Sequence, residues 1–306
     1  MRAVYYEAFG APDLLRIGDR PEPEPDATHV LIRNHAAGIG FWDVKQLNGL
    51  FGTNMPMPVV PGFEAAGVIE HAPEGSPFSR GDAVFATPPF PGGACAEFVR
   101  ARVDRTAPAP RSIDAAGAAA LVVSATTAYE GIVDRGEVSD TTAVLITAAS
   151  GSVGTAAVQI AVVRGARVFA VAGPASADLL RSLGAELVLD YHDGSWPATV
   201  REASGGIDVV FDAAGGDTAR LALSTARPEA RLLTIVSGLE PPPHGPELQF
   251  FSAVPTATRL EAVAALVDAG RLRPIIAETL PLADARTAFE RIAGRHPGGK
   301  VVLTIG

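Results

Sequence analysis

Cysteine occurs once in these 306 residues, at Cys95, so no internal disulfide can form and no cysteine-cluster metal site can be built. A lone thiol fits a reducing cytoplasm. Positive charge is also in short supply: 25 Lys and Arg against 34 Asp and Glu give a formal net charge of −9. Nucleic acid and anionic membranes both attract basic patches, so neither is expected as the main partner. Long apolar runs are missing as well. The longest stretch of apolar residues and glycine, Ala115–Val123, falls far short of the ~20 residues that span a bilayer. Met1–Gly10 lacks the basic head and continuous apolar core of a secretion signal. The expectation is a soluble cytoplasmic protein of about two domains, each of ~100–200 residues. A composition of 47% hydrophobic and 19% charged residues supplies ordinary cores for them.

Two textures divide the chain. In the first hundred residues, short strand-like runs (Ala3–Tyr6, Val30–Asn34, Ala65–Ile69, Ala83–Ala86, Ala94–Val99) alternate with Pro- and Gly-rich connections such as Pro21–Pro25 and Thr87–Gly93. Many short strands with turn signals between them predict a largely antiparallel, barrel-like β module. From about Asp114 strands and helices alternate. An alanine-rich helix over Ala115–Ile132 comes first. Strands at Val144–Ile146, Val168–Ala172, Leu187–Leu189, Val209–Asp212 and Arg231–Ile235 follow, separated by helices. That alternation predicts right-handed βαβ crossovers and a doubly wound parallel sheet, an α/β fold. Pro241–Pro246 breaks the pattern. The two helices and two strands beyond it (Arg259–Ala269, Pro274–Thr279, Ala283–Ala293, Lys300–Ile305) are too few to fold alone and are expected to rejoin the N-terminal module.

The most telling segment is Val144–Ala161. An apolar strand feeds a small-residue turn, Ala148–Gly154, and a helix packed from its first turn follows. This order puts unpaired backbone N–H groups and the positive end of a helix dipole where a pyrophosphate can sit. Gly151 allows the backbone to approach the phosphates and Gly154 allows the helix to press on the strand, while Ala149 replaces the first glycine of the usual fingerprint. Ser150, Gly151, Ser152, Val153 and Gly154 are therefore the candidate phosphate-binding residues. After the second strand, which ends at Ala172, no carboxylate appears until Asp178. An acid there would accept the adenosine ribose and repel a 2′-phosphate, so its absence favours NADPH over NADH. Ser176 and Tyr191 are candidate phosphate donors, with a helix N-cap and a half-buried loop aromatic as their alternative roles. No Lys or Arg sits at the turn itself. The small residues after the fourth and fifth strands, Ala213 and Val236-Ser237-Gly238, leave room for a nicotinamide, and Phe251 completes the candidate cofactor set. Asp212 is expected to cap or bond local backbone.

A whole-chain resemblance joins this reading. Met1–Tyr6, Pro61–Gly67, Gly81–Phe85, Gly92–Phe98, Thr126–Tyr129, Ala148–Gly154, Leu183–Glu186 and Gly299–Leu303 occur in an order that resembles the medium-chain dehydrogenase/reductases, specifically their zinc-independent quinone oxidoreductase-like branch. The resemblance implies a GroES-like β-barrel catalytic domain (1–123), a Rossmann NADP-binding domain (124–252) and a C-terminal return to the catalytic domain (253–306). It also implies a homodimer paired through the Rossmann edge. Zinc-dependent relatives place metal ligands where this chain has Gly40, Phe63 and Val123, none of which can bind zinc. By the same resemblance, Phe41, Trp42 and Phe63 line an apolar substrate pocket, or else serve as ordinary core aromatics. Asp43 stands where the family usually has Asp, anchoring its loop in preference to donating a proton, and Thr127 offers a hydroxyl to the nicotinamide or substrate.

With no Lewis acid to stabilise an alkoxide, the expected acceptor is one that takes hydride readily: a quinone or the activated C=C bond of an α,β-unsaturated carbonyl. No general acid is evident, and protonation by water would require none. The alternative reading is an NADPH-binding redox sensor or structural protein without turnover.

Overall fold

Ala143–Ile146 is buried at all four positions, which explains its unbroken apolar sequence, and it lies inside a six-stranded sheet. Numbered along the chain, the strands are Ala143–Ile146, Arg167–Ala172, Leu187–Asp190, Ile207–Asp212, Ala226–Thr234 and Leu248–Phe250. They are ordered in space third, second, first, fourth, fifth, sixth, and every pairing is parallel. This is the doubly wound dinucleotide-binding order, with its reversal between the first and fourth strands. The helix Ser152–Val163 is buried continuously from Gly154 to Ala161, as expected of a helix that is apolar on all sides. Trp196, fully enclosed at the start of helix Trp196–Ser204, joins Leu145, Phe169, Val210 and Leu232 in the core.

The computed structural model describes residues 1–241, 245–294 and 298–306. The chain divides into two compact units, Thr127–Val254, and Met1–Thr126 with Pro255–Gly306. The second of these is built on the eleven-residue strand His29–Ile39, which pairs antiparallel with Glu64–His71, Phe98–Arg102 and Lys300–Thr304. Lys300–Thr304 in turn pairs in parallel with Ile276–Pro281, so both C-terminal strands extend the N-terminal sheet.

Several local expectations are corrected. The helix predicted over Ala115–Ile132 is three pieces: Ala115–Ala119, Val122–Tyr129 and a π-helical turn, Glu130–Arg135. The first is capped by Asp114, which accepts from the Gly117 N–H at 2.8 Å. The second begins where the carboxylate of Glu64 accepts the Val123 N–H at 3.0 Å, so a distant side chain supplies the new N-terminus. The strand predicted over Ala94–Val99 starts only at Phe98. Ala94 and Cys95 instead bond the carbonyls of Gly62 and Pro61, so their burial reflects loop packing. The strand Leu248–Phe250 was not foreseen. Of the proline-rich break at 241–246, residues 242–244 lie outside the described residues.

Candidate functional site

The glycine-bearing turn follows the first strand of the parallel sheet and ends in helix Ser152–Val163, whose N-cap is Gly151. The N–H groups of Ser152, Val153 and Gly154 belong to the first helical turn and have no carbonyl acceptor within the helix. Ala149 N–H donates to the Val171 carbonyl at 3.1 Å, tying the turn to the end of the second strand. A Cβ at Gly154 would lie 2.3 Å from the Ala148 carbonyl oxygen, whereas one at Gly151 would meet only that oxygen, at 3.3 Å. Gly154 is thus required by close helix–strand approach, and Gly151 leaves an open cradle. These residues fit the pyrophosphate of a nicotinamide dinucleotide. The backbone adjustment sits at Ala148, which adopts φ +47°, rather than at Ala149. A left-handed alanine costs ~1–2 kcal/mol, against ~0.5–1 kcal/mol of extra unfolded-state freedom for glycine. Ala148→Gly is therefore expected to stabilise the protein by ~0.5–1 kcal/mol, read from the urea unfolding midpoint.

All five longer strands end on the same edge, so Ala172, Ala213 and Val236 share that edge with the turn. Ser176 closes the 3₁₀ turn Pro174–Ser176, and its hydroxyl makes no capping bond to the following helix. Tyr191 leans over Gly173, with its ring tilted against His192 at 3.9 Å. Its N–H bonds the Ala172 carbonyl at 3.3 Å, which brings Tyr191 to the end of the second strand. Ser237 and Gly238 are exposed beyond the fifth strand, Gly238 with φ +82°. Phe251 is placed differently: it is buried 6.2 Å from Phe211 with the Arg135 guanidinium over its ring, inside the packing of the sheet. Thr127 is buried on helix Val122–Tyr129.

In the other unit, Trp42 packs against Phe51 with tilted rings (4.2 Å) and meets Phe63 edge-on (6.4 Å), and Phe63 stacks on Phe90 (6.3 Å). Trp42 and Phe90 are 41% and 54% exposed whereas Phe63 is buried, so the cluster joins a core aromatic to an open aromatic face. Phe41 has the Lys45 ammonium over its ring at 5.2 Å. The sequence marks the loop from Phe51 to Met57 as a source of pocket residues without placing any of them, and it gives no sign of Phe90, which lies in a Gly- and Pro-rich loop without periodicity.

Gly40, Phe63 and Val123 converge around a buried ion pair. Glu64 receives the ammonium of Lys300, one of the chain's two lysines, on one oxygen and the Val123 N–H on the other. A Cβ at Gly40 would stand 3.3 Å from Lys300 Nζ and 3.8 Å from Glu64 Oε1. Both carboxylate oxygens are thus committed, and among the described residues no group of three or more His, Cys, Asp or Glu could hold a metal ion. The donor set here does not fit zinc.

Asp43, at the third position of helix Phe41–Leu47, accepts the Gly40 N–H at 2.8 Å on Oδ2, while its buried Oδ1 has no hydrogen-bond partner. Burial pushes this carboxyl up to about 7, against the pull of the Gly40 N–H and of Lys300. Between the unfolded value of 3.8 and 7, the folded state holds a proton that the unfolded state has released. Stability therefore falls as pH rises through that window and levels off above it, by about 4 kcal/mol at ~1.4 kcal/mol per pKa unit. Asp43→Asn keeps an acceptor for Gly40 and removes the proton. Its unfolding free energy relative to the parent is expected to climb between about pH 4 and pH 8, as checked by urea melts. Burial and then the Asp43 charge also push the Cys95 thiol well above its ordinary range, which makes it an inert structural cysteine.

A family model described as an alcohol dehydrogenase GroES-like domain matches residues 26–133, and one described as a zinc-binding dehydrogenase matches residues 183–303. The chain is 29% identical over 326 residues to a chloroplastic quinone-oxidoreductase homolog of Spinacia oleracea, covering 99% of this chain and 98% of that one. It is also 29% identical to a chloroplastic NADPH-dependent alkenal/one oxidoreductase of Arabidopsis thaliana, covering 99% of this chain and 79% of the relative. Among solved structures, that of an NAD-dependent alcohol dehydrogenase superposes over the whole of both chains with a TM-score of 0.92 at 29% identity. The chain belongs to the medium-chain dehydrogenase/reductases, in their quinone oxidoreductase-like branch. It is an oxidoreductase that uses NAD(P)H. Among the described residues no helix is long and apolar enough to cross a membrane.

Proposed function

We propose that the protein transfers hydride from NADPH, without zinc, to a quinone or to the activated C=C bond of an α,β-unsaturated carbonyl. The observation that carries this reading is the cluster at Gly40, Phe63 and Val123, where a buried Glu64–Lys300 pair stands among side chains unable to bind metal. Without a Lewis acid, the acceptor must itself spread the incoming charge onto a carbonyl oxygen. The aromatic cluster Trp42–Phe51–Phe63–Phe90, open at Trp42 and Phe90, suits a flat, apolar acceptor of that kind. With its pyrophosphate held by the backbone amides of Ser152–Gly154, the reduced dinucleotide supplies the hydride from its nicotinamide. The second hydrogen comes as a proton from solvent.

Preference for NADPH rests on the Gly173–Ser176 turn. No carboxylate precedes Asp178, which is exposed and paired with Arg181 at 2.9 Å, so no acid competes with a 2′-phosphate, and the Ser176 hydroxyl is free of capping duty. The curated relatives' names span both acceptor classes, quinone and alkenal/one, which supports this acceptor range.

The test is a panel of quinones, enones and enals, followed by loss of reduced-nicotinamide absorbance with NADPH and with NADH. Turnover favouring NADPH is expected. One-electron quinone reduction is recognised by cytochrome c trapping the semiquinone, and double-bond reduction by a saturated carbonyl product. No turnover with any acceptor would overturn the reading.

A further inference from the structure

One buried carboxylate joins three strand ends of the parallel sheet. Asp212 closes the fourth strand and is fully enclosed. Its Oδ1 accepts from the Thr147 hydroxyl at 2.6 Å, just beyond the first strand, and its Oδ2 accepts from the Thr234 hydroxyl at 2.7 Å, at the end of the fifth. The N–H groups of Ala214 and Gly215 donate to Oδ1 at 3.1 Å each, and Gly215 N–H also reaches Oδ2 at 3.3 Å.

The direction of each bond is set by the backbone. Thr147 Oγ1 accepts from the N–H groups of Ala213 (3.0 Å) and Ala214 (3.2 Å), and Thr234 Oγ1 accepts from Val236 N–H (3.0 Å). Thr147 therefore has its proton left to give to Asp212, and Thr234 gives its own to Asp212 at 2.7 Å in preference to the Val236 carbonyl at 3.3 Å. The carboxylate acts as an acceptor throughout, and an amide in its place would turn an NH₂ group toward a donor. The two turns so fixed also touch: a Cβ at Gly215, which has φ +70°, would lie 2.7 Å from Val236 Cγ1. Buried networks in which every member is satisfied fix geometry tightly.

The Ala213–Gly215 turn borders the crevice where the strand order reverses, which is where ligands of open parallel sheets bind, and the Val236 turn lies next to it, beyond the fourth strand. We propose that Asp212 is a positioning residue for hydride transfer: through Thr147 and Thr234 it fixes the Ala213–Gly215 and Val236 backbone against which the nicotinamide ring lies. This rests on the NADPH-dependent reading above. The pyrophosphate amides at Ser152–Gly154 lie outside the network, so orientation of the ring and affinity for the whole dinucleotide separate.

The variants are Asp212→Asn and the milder Thr234→Val, which keeps a β-branched strand residue while removing one donor to Asp212 and the acceptor for Val236 N–H. Three quantities are measured: the NADPH dissociation constant, the anisotropy of the bound nicotinamide's fluorescence, and the deuterium isotope effect on kcat with NADPH labelled at the transferred hydrogen. For both variants the dissociation constant is expected to stay within about threefold of the parent, while anisotropy falls. kcat is expected to drop about tenfold or more for Asp212→Asn, less for Thr234→Val, with a larger isotope effect in both. A partly unfolded preparation lowers apparent kcat but leaves the isotope effect unchanged, because that ratio reports only active molecules. Should Asp212→Asn not fold, Thr234→Val carries the same comparison. An unchanged isotope effect and anisotropy in a parent protein that does turn over would overturn the positioning role alone. A parent that binds NADPH yet reduces no acceptor would overturn both this role and the functional reading.

Discussion

Replacing Gly154 with alanine is expected to weaken dinucleotide binding severely and to lower the melting temperature. The new methyl carbon would stand 2.3 Å from the Ala148 carbonyl oxygen and 2.6 Å from Ala149 Cα. Both are backbone atoms of the strand-to-helix turn, so neither can swing aside, and helix Ser152–Val163 must retreat from the strand it packs on. Overpacking of this kind costs ~1–3 kcal/mol of stability. The retreat also carries the N–H groups of Ser152–Gly154 away from the position a pyrophosphate requires. A loss of NADPH affinity of ~100-fold or more follows, equivalent to ~2.7 kcal/mol. Gly151→Ala is the matched comparison. Its φ of −74° suits alanine, and its Cβ would meet only the Ala148 oxygen, at 3.3 Å. That variant is expected to melt near the parent temperature but to bind NADPH about tenfold more weakly, because the methyl group enters the cradle. Thermal melts and NADPH fluorescence titration separate the two. A Gly154→Ala protein that binds NADPH as the parent does would show that the turn is not the anchor.

This turn was legible in the sequence because its physics is local. Strand Ala143–Ile146 and helix Ser152–Val163 are buried on every side, so burial shows as unbroken apolar character, and the glycines mark where backbone must approach backbone. Other features are invisible for stated reasons. Strand Leu248–Phe250 has three residues, two of them exposed, and takes its place only by pairing with Ala226–Thr234. The latter starts earlier than its apolar run because Arg227, Pro228 and Glu229 are exposed. The break in the alanine-rich helix depends on Glu64, nearly sixty residues away, bonding Val123. Asp212 read as a local cap, which it is for Ala214 and Gly215, but its bonds to Thr147 and Thr234 cross three strands and exist only once the sheet is wound.

Lys300→Met is expected to produce the largest loss of stability, ~3–5 kcal/mol, because it strands a charge. Glu64 and Lys300 are only 2% and 3% exposed, and the space around them is tight: a Cβ at Gly38 would lie 2.9 Å from Lys300 Cε. With the ammonium removed, the Glu64 carboxylate keeps the Val123 N–H and nothing of opposite charge. Adding Glu64→Gln removes that charge while leaving a carbonyl to accept the Val123 N–H. The double variant is therefore expected to be more stable than Lys300→Met alone, a non-additivity that urea melts of the four proteins in the cycle would measure. Asp43 reports on the same pair. Lys300 pulls its carboxyl down and Glu64 pushes it up, both secondary to burial. Lys300→Met therefore moves the pH at which stability levels off above its parent position near 7, and the double variant returns it part of the way. Equal stabilities for the single and double variants at neutral pH would mean that Glu64 is not charged when its partner is gone.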